Sequence, residues 1–318
     1  MKYGFTVPGR GPLATPDMLL TIAKHGEELG FDSIQTGDHI LVPKNIDSTY
    51  PYTDTGEFPG LSSGSSLEQL TLLSFLAGQT SKIRLVTSVL IVPHRNPLVA
   101  AKTLATLDVL SKGRLVVGIG VGWMKEEFEA LGLPPFEERG AVTNEYLRIF
   151  KELWTNDSPS FSGKYCSFSG INFLPKPVQK PHPPLWVGGE SMAAVRRAAQ
   201  LCDGWYPIGS NPQFRMDTPE LLSEKIQRLY TEMNKCDREP GDVNLIYRTH
   251  DYDLSSGHNS EADRNFFTGS ADQIASDIRR YAETGVSYLV MDFGRNSQSL
   301  EDVLGSMQDM ANEVWPKV

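Results

Sequence analysis

Short apolar runs rich in β-branched residues alternate along this chain with longer segments whose apolar positions recur every three or four residues. The first pattern reads as buried strand and the second as helix packed on one face. Strands are expected at Tyr3–Val7, Ser33–Thr36, Arg84–Ile91, Leu115–Ile119, Leu185–Val187, Gly204–Pro207, Asn244–Thr249 and Tyr288–Phe293. Helices are expected at Pro16–Leu29, Leu67–Thr80, Pro97–Leu110, Glu137–Trp154, Met192–Leu201, Pro219–Asn234, Ala271–Glu283 and Leu300–Val314. The unit around residue 100 shows the punctuation well. Its apolar run ends at Pro93, and Pro97 stands at a first helical position. Leu98, Ala101, Leu104, Ala105, Leu107 and Leu110 then keep helical spacing until Ser111-Lys112-Gly113. Strict alternation of strand and helix implies a parallel sheet, and eight repeats in 318 residues favour one closed (β/α)8 TIM barrel over a doubly wound sheet. Residues 1–318 read as one domain, because no linker or compositional break divides them.

Barrel enzymes carry their sites at the C-terminal ends of the strands. Three segments there exceed ordinary connections: Lys44 to Ser66, with Tyr50, Tyr52 and Phe58, then Asp157 to Pro184, and Asp251 to Thr268. Together they read as lids, and individually as surface insertions with incidental aromatics.

Composition narrows the function. The chain is 40% hydrophobic and 22% charged, as expected of a soluble enzyme, and its net charge of −9 with no basic stretch argues against a nucleic-acid surface. No apolar run approaches a membrane span and MKYGFTVPG has no leader character, so the cytoplasm is the expected location. Cys166, Cys202 and Cys236 are odd in number and scattered, which suits reduced structural thiols. No metal is expected. His39, His94, His182 and His250 are dispersed, Asp292 is the one obvious late carboxylate, and the first strand exits through Thr6 and Pro8. The nucleophile-elbow pattern G-x-S-x-G is missing.

Three segments carry chemistry. In Gly118-Ile119-Gly120-Val121-Gly122-Trp123 the third glycine of a dinucleotide fingerprint would fall on Trp123. The glycines instead suit close approach of a planar ring, with Trp123 on the substrate side, or else a tight turn packed by a core tryptophan. Gly188-Gly189-Glu190-Ser191 leads from a strand into a helix and offers free amides and a hydroxyl to an anion, or simply caps the helix. Asp38-His39, at a strand exit, can form a proton relay or serve as a turn cap beside a structural histidine.

The order TSVLIVPHRNP, LDVLSKGR, GIGVGW, followed by FSGKYCSFSGINFLPKPVQKPHPPLWVGGES, AAQLCDGW and GVSYLVMDFG, resembles the bacterial-luciferase-like flavin and deazaflavin (coenzyme F420) oxidoreductases over nearly the whole chain. The resemblance implies a phosphate held by Glu190, Ser191 and Arg139, beside Gly188 and Gly189. It places the cofactor ring near Ser88, Val89, Gly120, Val121, Gly122 and His39, with a cis peptide at Ser88–Val89. Phe5, Tyr50, Tyr52 and Trp123 fall to the substrate side, and His39 with Asp38 to catalysis. Val121 departs from the pattern: luciferases carry a phosphate-binding arginine there and sugar-phosphate dehydrogenases a glutamate. Two enzyme readings follow. Reduced FMN, delivered by a separate flavin reductase, would use O2 to oxygenate a small molecule; F420 would transfer hydride directly. A non-catalytic flavin-binding protein is a third reading, and a homodimer is the expected assembly.

Overall fold

The computed structural model describes residues 1–61, 64–254, 264–295, 297 and 299–318. Its centre is a closed parallel barrel of eight strands: β1 (Lys2–Thr6), β2 (Ser33–Thr36), β3 (Arg84–Thr87), β4 (Leu115–Gly120), β5 (Leu185–Gly188), β6 (Gly204–Tyr206), β7 (Asn244–Arg248) and β8 (Tyr288–Met291). Each strand pairs with its successor, and β8 returns to β1 through Lys2–Tyr288 and Phe5–Met291. Closure leaves no open edge, so the short strands satisfy their backbone groups within the ring. The expected (β/α)8 TIM barrel is the fold observed.

Helices surround it: α1 (Pro16–Leu29), α2 (Gln69–Ala77), α3 (Pro97–Leu110), α4 (Lys125–Ala130), α5 (Arg139–Thr155), α6 (Met192–Leu201), α7 (Pro219–Asn234), α8 (Ala271–Glu283) and α9 (Leu300–Asp309). Five of these begin and end where the sequence predicts, because their caps are written locally. Asn96 accepts the amides of Leu98 and Val99 ahead of Pro97, Ser270 and Gln273 form a capping box, and Gly30 closes α1 at φ 92°. Two details differ from expectation. The third strand is not continuous from Arg84 to Ile91: it breaks at Ser88–Val89, where the expected cis peptide is found, and Leu90–Ile91 then pairs with the end of β4. Helix α4, short and charged, lies in what reads as a loop.

Every strand is buried on both faces. Val86, Val116, Trp186, Tyr206, Ile246, Tyr288 and Val290 fill the barrel, while a larger apolar layer joins the strands to the helices. This sorting corrects one assignment. Phe5 is completely buried in the outer layer, edge-on to Phe31 and over Gly26, so it cannot face a substrate at the mouth. Alternation along β1 turns its neighbour Thr6 toward the cavity instead.

The segment from Asp157 to Pro184 is not a lid either. Its hairpin, Phe161–Ser162 with Ser167–Phe168, is pinned by Glu145 to the amides of Lys164, Tyr165 and Cys166. The rest runs down the outer wall, where Asp108 accepts from Gln179 and Lys176 donates to the Leu153 carbonyl. Of Asp251 to Thr268, residues 255–263 lie outside the described residues; the flanking pairs Asp253–Leu254 and Thr268–Gly269 form a short parallel ladder. Among the described residues no helix is long and apolar enough to cross a membrane.

Candidate active site

A cavity of about 600 Å³ opens at the C-terminal ends of the strands, within the size range of small-molecule and cofactor sites. One side of it is flat and uncharged. Ser88 and Val89 at the β3 bend, Gly120, Val121 and Gly122 at and after the end of β4, and Gly188 at the end of β5 line it. The structure adds a reason for the glycines. A Cβ on Gly118 would strike the Thr87 carbonyl oxygen, one on Gly120 would strike the Val89 side chain, and Gly122 has φ +87° with Phe128 at 2.6 Å. They let the bent strand nest against β4 and leave backbone facing the cavity.

The Gly188-Gly189-Glu190-Ser191 turn stands beside this wall. Gly189 has φ +105°, which excludes a side chain, and its carbonyl accepts the Trp205 indole N–H at 3.0 Å. Ser191 caps α6, its Oγ accepting the Ala194 amide at 3.3 Å while its own proton stays available to an anion at the helix N-terminus. The Glu190 side chain points elsewhere. Its carboxyl accepts from the Ile208 amide at 2.9 Å and Asn211 Nδ2 at 2.8 Å, anchoring the next loop, and burial pushes it up to about 7. A carboxyl so engaged shapes the turn rather than holding a phosphate. Arg139 is likewise diverted: it donates to the carbonyls of Gly122 and Phe136, stacks 3.9 Å from the Phe136 ring and does not line the cavity. In this arrangement it braces Gly122.

The structure does not pair Asp38 with His39. Asp38 receives the Arg95 guanidinium at 2.7 and 2.8 Å and the Ile91 amide at 2.9 Å, which fixes the end of the bent third strand. The partner of His39 is Glu127, with Nδ1 2.9 Å from Oε2. Glu127 is buried on α4 and its other oxygen accepts the amides of Ile40 and Leu41. Burial pushes this carboxyl up, but the His39 hydrogen bond, the His39 and His94 charges and the Ile40 amide together hold it below its ordinary range. An ionised carboxylate on Nδ1 leaves Nε2 of His39 as the nitrogen available to a reacting group.

Above them, the described residues of the first long insertion cover part of the cavity with aromatic rings. Phe58 and Tyr50 pack 5.3 and 5.1 Å from Trp123, and Phe58 lies 5.0 Å from His39. Tyr52 stands edge-on to His250 at 6.2 Å, and burial raises its pKa well above the ordinary value.

Four further residues of the site carry no mark in the sequence patterns. Glu127 sits in KEEFE, which resembles a solvated helix. Arg10 follows β1 in a Pro-Gly turn, and Arg248 and His250 close β7. The rule that barrel strands end at the active site would have found the last two. Arg248 donates to Ser88 Oγ at 3.2 Å, and Ser88 meets the Tyr206 hydroxyl at 3.0 Å, so a polar thread crosses the cavity floor. Among the described residues no group of three or more His, Cys, Asp or Glu side chains is placed to hold a metal ion.

Comparisons with known proteins identify the family and agree with the fold. Residues 1–262 match the luciferase-like monooxygenase family. An FMNH2-dependent dimethylsulfone monooxygenase of Pseudomonas putida is 37% identical over 154 residues, 48% of this chain and 42% of that protein. An F420-dependent glucose-6-phosphate dehydrogenase of Microbacterium testaceum is 30% identical over 235 residues, 73% of this chain and 62% of that one. Monooxygenase RslO1 of Streptomyces bottropensis shares the fold with a TM-score of 0.79 at 20% identity, over 99% of both chains. The chain is therefore an enzyme of the luciferase-like monooxygenase family, whose members are flavin- or F420-dependent oxidoreductases.

Proposed function

We propose that this enzyme is a monooxygenase that uses reduced FMN and O2 on a small organic substrate. The observation that carries the reading is the flat backbone wall of Ser88, Val89, Gly120, Val121 and Gly122 meeting the anion-binding turn at Ser191. A tricyclic ring and its phosphate need that pairing of surfaces, and the residues present suit the group. Bound there, the reduced flavin supplies the electrons with which O2 is split between substrate and water. The chain's own contribution is placement: amides and the Ser191 hydroxyl hold the phosphate, and Val89 backs the ring. Tyr50, Phe58 and Trp123 exclude water, and His39, oriented by Glu127, holds or moves a proton at Nε2.

The His39–Glu127 pair also favours a second reading, hydride transfer with F420, in which the same imidazole assists a proton transfer at the substrate. Cofactor titration of the pure protein separates the two. The first reading expects saturable binding of FMN, tighter when reduced, and substrate-dependent O2 consumption once a reductase is supplied. Binding of F420 with no affinity for reduced FMN would establish the second. The reading also includes a homodimer in the cytoplasm. Phe75 on α2 and Val99 and Leu110 on α3 stay exposed on neighbouring helices, which supports association there.

A further inference from the structure

Opposite the flat wall, the exits of β7, β8 and β1 bring Arg248, Arg295 and Arg10 into the same cavity. Arg248 is the deepest. Its Nε is buried without a partner, and its NH2 reaches Asp292 at 3.3 Å. Arg10 lies 4.7 Å over the Phe58 ring, and among the described residues neither it nor Arg295 forms an ion pair. Asp292 thus faces both Arg248 and Arg10, while Arg295 acts on His250 and Asp251. The cations are close enough to feel one another. Burial and then Arg248 hold the Arg10 pKa below its ordinary value against Tyr50 and Asp292, and burial, Arg248 and Arg295 push His250 down to about 2, leaving it neutral. A largely buried Arg248 guanidinium with an orphan Nε, beside the half-buried Arg10, is costly unless something anionic completes it.

We propose that this half of the cavity binds the anionic head of the substrate, a small organic oxyanion whose apolar portion lies among Tyr50, Tyr52, Phe58 and Trp123. The proposal rests on the cofactor occupying the opposite wall. An oxyanion accepts from Arg248 Nε and Arg10, displaces no existing ion pair, and holds the organic part between the arginines and the ring position.

The test is calorimetric titration of the whole protein with hexanoate, hexanesulfonate and hexyl phosphate against hexanamide and hexanol, without cofactor and with FMN or F420 at saturation. At least one anion should bind roughly 10- to 100-fold tighter than the neutral ligands, as charge-assisted hydrogen bonds imply. Arg248→Gln and Arg10→Gln should each remove most of that preference. Arg10→Gln keeps the test valid if Arg248→Gln fails to fold. Equal binding of amide and acid, no anion binding at all, or an undiminished preference in folded Arg10→Gln overturns the proposal. So does competition between the anions and the cofactor, which would give the arginines to the cofactor's own acid groups. Anion selectivity in a protein that binds no cofactor would instead defeat the flavin reading and leave this one standing.

Discussion

The two sides of the barrel mouth are made of different material. At the exits of β3, β4 and β5 the cavity meets glycine, valine and backbone, held by a bent strand that a single added Cβ would push apart. At the exits of β7, β8 and β1 it meets Arg248, Asp292, Arg295 and Arg10 on longer side chains, two of them without ion pairs among the described residues. The first side is shaped by covalent geometry and tolerates little change. The second is shaped by charge and can be edited. A planar cofactor suits the former, and a substrate that varies between relatives suits the latter.

The largest effect is expected between the two walls, at His39. His39→Ala should slow turnover about 10² to 10⁴-fold with cofactor affinity nearly unchanged, since general acid–base assistance is of that size. Single-turnover rates at saturating cofactor, set beside a cofactor titration, check it. A rate within a few fold of wild type would return His39 to a structural role.

Glu190→Gln tests whether the phosphate turn is a structural brace. Burial raises this carboxyl from 4.5 to about 7, so over that window the folded chain keeps a proton that the unfolded chain has released. Stability then falls as pH rises through the window, by on the order of 3 kcal/mol for a displacement of that size. Gln has no such proton to lose. Thermal unfolding at pH 5 and pH 8 should show a larger drop in Tm for wild type than for the variant, and equal drops would contradict the assignment.

Gly118→Ala sharpens the contrast in rigidity. Its Cβ would meet the Thr87 carbonyl, which cannot swing aside, so a loss of about 1–3 kcal/mol is expected from overpacking. Arg10→Gln, on the opposite side, gives up only the stacking over Phe58 and should cost about 0.5–1 kcal/mol, the usual size of a partly exposed cation–π contact. Chemical denaturation of both variants is the check, and similar losses would erase the distinction between the walls.

The fold was legible because its signals are local: caps at Asn96 and Ser270, a proline opening α3 and a glycine closing α1 are read without knowing what packs on what. Local pattern made the site legible where backbone builds it, at Gly120–Gly122 and Gly188–Ser191, and the resemblance added His39, Tyr50, Tyr52 and Trp123, which also line the cavity. The resemblance puts Phe5 at the mouth, and a strand buried on both faces offers no alternation in the sequence to tell Phe5 from Thr6. Asp38 is next to His39 in sequence, yet Arg95 takes it, while Glu127 arrives from 88 residues away on a helix whose charges look solvated. Long-range pairing of this kind leaves no periodicity behind. Arg139 was placed on the phosphate by resemblance, and the Gly122 and Phe136 carbonyls take it instead.

The central claim is that the phosphate of a bound flavin sits at the Ser191 turn and not among the arginines. Dissociation constants for FMN and riboflavin, measured on wild type, Ser191→Ala and Arg10→Gln, address it directly, because the ratio of the two isolates the phosphate. Wild type should prefer FMN. Ser191→Ala should shrink the preference by about 0.5–1.5 kcal/mol, the usual size of one hydroxyl hydrogen bond, and Arg10→Gln should leave it intact. A preference that survives Ser191→Ala and collapses in Arg10→Gln would place the phosphate on the other wall and contradict the account.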